Sequence, residues 1–364
     1  MKLKQIIHFL EAWAPLAFQE SYDNCGLLYG DVEHEITQAL ITLDITEAVV
    51  DEAIATGSNL IIAHHPLIFK GLKQLHPTSD DQRALIKAIQ SDIAIYAIHT
   101  NLDHVHTGVN AAIAEKLHLK NTQILSPKTN LLQKLIVFAP STHSNQILNA
   151  LFEAGAGQIG NYSECSFQTT GMGSFKPNDL AKPFVGTVND RHQEPEIKLE
   201  VLIPNYLQSR ILQALKQNHP YEEVAYDLLP LNNTHPLVGS GLVGTLQQPI
   251  SEVDFIQSLK AIFQVPIVRH TALLGRPIQK IAVCGGSGSF LINTAKRAGA
   301  DLFLSADIKY HEFFQAEKSL VIADIGHYET ESPIKQQIYA ELTKKFPIFA
   351  VRVSQINTNP INYS

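Results

Sequence analysis

The chain has 364 residues, with 28 Lys and Arg against 35 Asp and Glu, a formal net charge of -7 and 45% hydrophobic residues. That length suits two or three domains of about 100 to 200 residues with a sizeable core, and an acidic balance without Lys/Arg clusters speaks against a nucleic-acid groove or an anionic membrane surface. Three widely spaced cysteines, Cys25, Cys165 and Cys284, argue against a CxxC metal site and a disulfide framework and point to a reducing cytoplasm.

The amino-terminal MKLKQIIHFLEAWAP reads as an amphipathic first helix, and no run approaches a membrane span. ALITLD at 39–44 predicts a strand, 46–56 a helix begun by Thr46 with Glu47, and 59–64 a buried strand that ends in His64 and His65. Neighbouring side chains on an extended backbone point to opposite sides, and Pro66 biases His65 towards extended geometry, so the two rings should diverge. Divergent rings suit two ions, one ring to each, if further ligands come from elsewhere. On the dipeptide alone, two surface histidines beside a strand are the preferred reading. A helix at 80–90 and a strand at 93–98 follow, and the strand ends in His99-Thr100-Asn101-Leu102-Asp103.

From about 130 to 232 the rhythm changes. QKLIVFAP, a helix at 143–154, EIKLEVLIP, a helix at 206–217 and EVAYDLLP read as two β-α-β halves of a ferredoxin-like layout, with turn-like borders near Pro127-Lys128 and Asn232-Asn233-Thr234. The expected organisation is a discontinuous core, 1–127 and 235–364, interrupted by an inserted domain at 128–234. Inside the insert, GAGQIGNYSECSFQTTGMGSF reads as loop-rich.

The α/β rhythm resumes near 278, where IQKIAVC is a strand, GGSGS a turn and 289–298 a helix. A strand at 301–304, a helix at 310–317, a strand at 319–323, a helix at 330–345 and a strand at 348–353 follow. The fold class is therefore α/β, with a mostly parallel covered sheet and an α+β insert. Gly285, Gly286 and Gly288 do not complete GxGxxG and no Lys-Ser/Thr follows, so a plain strand-to-helix turn is favoured over an anion held on the amides of Gly286 and Gly288. The serines show no GxSxG elbow.

The strand at 319–323 ends in Asp324, His327 and Glu331, and the last two, four apart at a helix start, share one face. Three strands thus place imidazole and carboxylate at their C-terminal ends, where open α/β sheets bind ligands. Such a set suits zinc, iron, manganese or nickel, whereas calcium or magnesium wants oxygen alone. Glu329 would point away from His327 on a helix, and His104 and His106 read as loop residues. His99 and Asp307 are candidates for proton transfer or for backing a metal-bound imidazole, and His311 is weaker. Asp44 either joins the same crevice or caps the following helix. His8, His118, His143 and His270 are scattered and read as structural or surface residues.

The segments SYDNCGL (21–27), AHHPLIF (63–69), HTNLD (99–103), GAGQIGNYSECSF (155–167), HPYEEVAYD (219–227), VCGGSGSF (283–290), SADIKYHE (305–312) and DIGHYETE (324–331) carry a resemblance over essentially the whole chain. The chain resembles the Nif-three-like dinuclear-metal proteins, also called GTP cyclohydrolase type-two homologues, in their longer bacterial form. The resemblance implies that His64 and Asp103 bind one ion, His65 and His327 a second, and that Glu331 bridges them. It further implies two divalent ions per chain (zinc, iron or manganese), a PII- or CutA-like insert and a toroidal homohexamer whose sites face an internal cavity. Two ions about 3.5 to 4 Å apart equip a site for hydrolysis. The expected function is a metal-dependent hydrolase of a nucleotide or related small molecule, GTP cyclohydrolase-like by family label. A metal-handling or metal-delivery protein and a regulatory ligand-binding module without catalysis are the alternatives.

Overall fold

A computed structural model describes residues 1–364. The chain divides into two compact units, Met1–Pro127 with Leu237–Ser364, and Lys128–Pro236. No helix is long and apolar enough to cross a membrane.

The first unit is mixed α/β and has two sheets in place of the one mostly parallel sheet expected. The five-stranded sheet runs Gly26–Tyr29, Ala94–Ala97, Leu60–Ala63, Gln38–Thr42, Ala350–Val353, and all but the first strand are parallel. The six-stranded sheet runs Arg269–His270, Val321–Asp324, Leu302–Ala306, Ile278–Ser287, Gly239–Ile250, Lys120–Pro127. Here only the pairings of Leu302–Ala306 with Val321–Asp324 and with Ile278–Ser287 are parallel, and the other three are antiparallel. Glycines at 239, 241 and 244 dilute the side-chain pattern of the long strand Gly239–Ile250 and hid it from the sequence reading.

Alternation along the strands decides what each face covers. Ile41, Ile62 and Tyr96, neighbours across three strands, share one core with Leu242, Ile281, Val283 and Leu304 of the second sheet. Leu40, Ile61 and Ile95 point the other way, onto Val49, Val50 and Ala53 of helix Glu47–Thr56 and Ala84, Leu85 and Ala88 of helix Asp80–Gln90. Each such large side chain contributes about 1.5 to 3 kcal/mol on burial. The helices are stopped and started by local chemistry. Thr46 accepts from the Val49 amide, and Gly57 (φ 73°) closes the same helix in the left-handed region. Ser79 caps the next helix, with Asp80 and Asp81 in its first turn. Strands Leu60–Ala63 and Ala94–Ala97 follow these two helices and lead to His64 and His99.

Several elements differ from expectation. The strand Ile278–Ser287 continues through Gly285 and Gly286, so no turn starts there. The helix expected at 289–298 is a 3-10 turn, Ser289–Leu291, then Ile292–Arg297, and 310–317 is the 3-10 helix Tyr310–Ala316. The helix expected at 330–345 is two, His327–Glu331 and Ile334–Lys345, parted at Pro333, which has no N–H to continue the first.

The second unit runs β-α-β-β-α-β: Leu132–Pro140, Ser144–Glu153, Ser166–Phe175, His192–Pro204, Gln208–Asn218, Tyr226–Leu231. Its antiparallel sheet has the order Ser166–Phe175, His192–Pro204, Leu132–Pro140, Tyr226–Leu231, a ferredoxin-like arrangement. Leu135, Val137, Leu199 and Val201 pack on Ile147, Leu151, Ile211 and Leu215 of its two helices in a core of its own. The second half of the segment read as loop-rich is strand Ser166–Phe175. Almost every residue in it is exposed, so no apolar alternation announced it.

Candidate metal centre

The strand Leu60–Ala63 ends one residue before the histidine pair, and backbone bonds from His64 to Thr42 (3.2 Å) and from His65 to Leu43 (2.9 Å) pin the bend to its neighbour. That bend overturns the expected divergence. The two rings lie 5.0 Å apart at 47°, and both Nε2 atoms face Glu331 Oε2, at 3.8 Å for His64 and 2.9 Å for His65. Helix His327–Glu331 brings its two named residues onto one face, with His327 Nε2 3.0 Å from the same oxygen. Asp103, ending helix Thr100–Asp103, puts Oδ1 3.6 Å from His64 Nε2. His64, Asp103 and Glu331 form one group of potential metal ligands, His65, His327 and Glu331 a second, and His64, His65 and His99 a third without a carboxylate, each with ligand atoms within 4.8 Å of one another.

The far side of each ring explains which nitrogen is offered. His64 Nδ1 lies 2.8 Å from Ile98 O, His65 Nδ1 2.7 Å from Asp44 Oδ1, and His327 Nδ1 2.7 Å from Asp307 Oδ2. Carbonyls and carboxylates only accept, so each Nδ1 carries a proton and each neutral ring presents a lone pair at Nε2. Those lone pairs face carboxylate lone pairs, an arrangement that needs a cation, proton or metal, between them. His64 Nε2, Asp103 Oδ1 and Glu331 Oε2 are buried with no hydrogen bond of acceptable geometry. Nitrogen and oxygen donors 2.9 to 3.8 Å apart suit the edges of a coordination shell with bonds of about 2.0 to 2.2 Å.

The electrostatics agree. Burial opposes charge on His65, but Asp44 and Glu331 outweigh it and pull its pKa up to about 10. Against the same opposition, Asp307 and Glu331 raise His327 to about 11. Complete burial pushes His64 down to about 3. Burial and then Glu331 lift Asp103 to about 7. Burial works against the Glu331 anion too, yet His327 and His65 hold it well below the carboxylate range.

Outer groups hold the ligands in place. Asp44 does not cap the helix, since Thr46 does. Its Oδ1 bonds His65, and its Oδ2 accepts from Thr358 Oγ1 at 2.6 Å. Asp307 backs His327 and accepts from Ser287 Oγ at 2.5 Å, from a left-handed backbone (φ 54°) that aspartate tolerates. His99 lies with its ring 5.2 and 5.1 Å from those of His64 and His65, and its Nδ1 is 2.9 Å from Asp23 Oδ1. The other Asp23 oxygen accepts from Thr100 and from Cys25 Sγ, and burial pushes the Cys25 thiol up to about 12. Asp23 and Thr358 were missed in the sequence, because neither follows a recognisable strand.

The alternative of an anion site fails here. The Gly286 amide donates to Thr330 Oγ1 at 3.0 Å and is not offered to an anion. Gly286 serves the centre by omission: its φ is +60°, and a Cβ would lie 2.3 Å from Glu331 Oε1. At Gly288 a Cβ would lie 2.2 Å from Ser305 Oγ, and a 3-10 turn, not an α-helix, follows it. His104, in the turn after helix Thr100–Asp103 and outside the ligand groups, is buried, with Nδ1 2.9 Å from Phe18 O and Nε2 3.1 Å from Ser240 Oγ. Asp324 turns away to Arg269 and the amides of Ile308 and Gly326, and Glu329 accepts from Asn359. His106 and His311 stand outside the ligand groups. A cleft of about 450 Å³, lined by Tyr22, His99, Asp103, Phe290, His327 and Glu331 among others, opens onto the centre.

Fold and site together define an α/β protein with a buried histidine and carboxylate cluster of metal-binding type. The chain belongs to the Duf34/NIF3 (NGG1p interacting factor 3) family, whose model matches residues 1–360. It is 40% identical to a Bacillus subtilis protein named GTP cyclohydrolase 1 type 2 homolog, over 99% of this chain and 98% of that one. A relative of the same name from Halalkalibacterium halodurans is 38% identical over 98% of each chain. The crystal structure of a Bacillus cereus protein related to NIF3 superposes with a TM-score of 0.86 at 37% identity, covering 100% of this chain and 99% of that chain.

Proposed function

We propose that His64 and Asp103 hold one divalent ion, His65 and His327 a second, and Glu331 both, and that the centre hydrolyses a nucleotide or a related heterocycle. The observation that carries this is a single buried carboxylate oxygen, without a hydrogen bond, shared by two ligand groups. Bound ions would supply Lewis acidity and a water of lowered pKa. The chain's own side chains supply the rest. The 450 Å³ cleft is of small-molecule size, and Tyr22 and Phe290, 64% and 66% exposed, offer aromatic faces to a flat ring. His99, oriented by Asp23, is placed to accept a proton and return it. The name carried by the relatives, GTP cyclohydrolase 1 type 2 homolog, supports a nucleotide as the substrate class.

Elemental analysis of fully loaded protein and turnover of a nucleotide panel test the two halves separately. Two ions per chain are expected, with turnover that falls at least about a hundredfold in His99→Gln while the ions stay bound. One ion at full loading refutes the metal assignment, and two ions with no turnover of any nucleotide refute the activity. The exposed aromatics Tyr310 and Phe314, 72% and 66% accessible, fit a chain that assembles, and the family resemblance supports a homohexamer, which light scattering would measure directly.

A further inference from the structure

The unit Lys128–Pro236 holds a cleft of about 420 Å³ that shares no residue with the metal centre. Its wall is aromatic. The ring of Tyr221 lies 6.2 Å from those of Phe175 and Phe184, tilted at 56° and 48°, so three rings surround one space. Beside them stands Glu196, only 8% exposed, whose Oε1 accepts from Tyr221 Oη at 2.9 Å. No Lys, Arg or His forms an ion pair with Glu196, whereas the neighbouring acids on its strand are paired, Glu194 with His192 and Glu200 with Lys134 and Lys198. A carboxylate this buried ordinarily has a cationic partner. The backbone is shaped around it, because a Cβ at Gly173 would lie 2.0 Å from Glu196 Oε2. Any side chain there would displace the acid. Glu222 and Glu223 add negative charge at the rim against the single base Lys176.

We propose that this cleft binds a small organic ammonium ion. The N–H groups of such a ligand would donate to Glu196, and its carbon substituents would lie on the faces of Phe175, Phe184 and Tyr221, whose ring quadrupoles attract a cation. The excess of carboxylates opposes an anion such as a phosphate ester. One buried carboxylate among aromatic rings offers too few donors for a metal ion. The volume is that of a small-molecule site.

Titration calorimetry on the full-length protein with agmatine, spermidine and 3,3-dimethylbutylammonium tests the proposal, with the neutral isostere 3,3-dimethyl-1-butanol as control. At least one of the three cations should bind saturably, one per chain. Its affinity should fall at least about tenfold in Glu196→Gln. In Phe184→Ala, which alters a half-exposed ring and spares the core, it should fall at least about threefold. Absence of saturable binding by all three cations up to about 10 mM would overturn the proposal. So would saturable binding of the butanol as tight as that of its ammonium isostere, or a change below about twofold in a folded Glu196→Gln or Phe184→Ala protein.

Discussion

Filling the metal centre should release protons in a number set by its ligands. In the ion-free chain at pH 8, His65 and His327 carry protons, since neighbouring carboxylates raise them, against burial, to about 10 and 11. His64, at about 3, and Glu331, held well below the ordinary range, carry none, and Asp103, lifted to about 7, is mostly ionised. A ligand atom must lose its proton before it can bind a metal. Loading both positions at pH 8 therefore releases two protons, one from each of two imidazoles, and the number climbs towards three near pH 6 as Asp103 becomes protonated beforehand. Each released proton changes the apparent affinity about tenfold per pH unit. The product of the two association constants should thus rise about a hundredfold per unit around pH 8 to 9, and more steeply below neutrality. Calorimetric titration with zinc or manganese in buffers of different ionisation enthalpy counts the protons directly. Imidazoles with ordinary values near about 6.5 would be neutral at pH 8 and release almost nothing. A count below about one, or a count that shrinks as the pH is lowered, would refute the electrostatic account of the centre.

Glu331→Gln should empty both positions and His64→Ala only one, as read by elemental analysis after gel filtration; two ions retained by Glu331→Gln at unchanged affinity would remove the shared-ligand assignment. Asp44→Asn should weaken metal binding about 10- to 100-fold, and Thr358→Val, which deletes the 2.6 Å bond to the same aspartate, about fivefold with little change in melting temperature; equal affinities in all three proteins would show that the tail does not hold His65. In ion-free protein, the folded pKa values of His65 and His327 lie above the unfolded value of about 6.5, so their stabilisation is complete below that pH and is lost as the pH rises through about 10 and 11. The melting temperature should therefore fall between about pH 7 and pH 10, more gently in His327→Asn, and a flat profile would count against the raised values. A shortened chain joining Pro127 to Leu237 by a few residues should fold and bind its ions, because Pro127 and Gly239 are already cross-strand partners and the cores of the first unit take no residue from 128–236; an unfolded or ion-free product with every linker length tried would make the insert part of the core.

The sequence showed the ligands more clearly than the sheets. His64, His65, Asp103 and His327 each follow an apolar run read as a buried strand, and Glu331 follows His327 at helical spacing, so the pattern put imidazoles and carboxylates near strand ends, while their division between two ions came from the family resemblance. The split of the core into two sheets was not legible in the same way. Strands Lys120–Pro127 and Gly239–Ile250, which complete the second sheet, have largely exposed or glycine-interrupted patterns. Pairing between segments more than a hundred residues apart leaves no local trace. The same holds for Asp23 and Thr358, which reach the centre only because the chain brings residues 23 and 99, and 44 and 358, together. The role of Gly286 matches neither the plain turn favoured from the sequence nor the anion site weighed against it. A glycine-rich turn suggests amides offered to an anion, whereas here the missing side chain makes room for the carboxylate of Glu331.

The two ligand groups are not equivalent, although they meet on one oxygen. His65 and His327 are each backed by a carboxylate, Asp44 and Asp307, whereas His64 is backed by the uncharged carbonyl of Ile98. A carboxylate behind an imidazole raises the basicity of its outer nitrogen towards a metal and towards a proton alike. At high pH the position of His65 and His327 is therefore the stronger, and as the pH falls the same two carboxylates favour the competing protons. The position of His64 has no such competition at its imidazole, and its sensitivity to pH comes through Asp103 alone. An ion at either position would also neutralise part of the Glu331 charge, so a second ion would enter a weaker field than the first. Pairing one carboxylate oxygen with two differently backed imidazole sets would thus give stepwise loading whose order depends on pH.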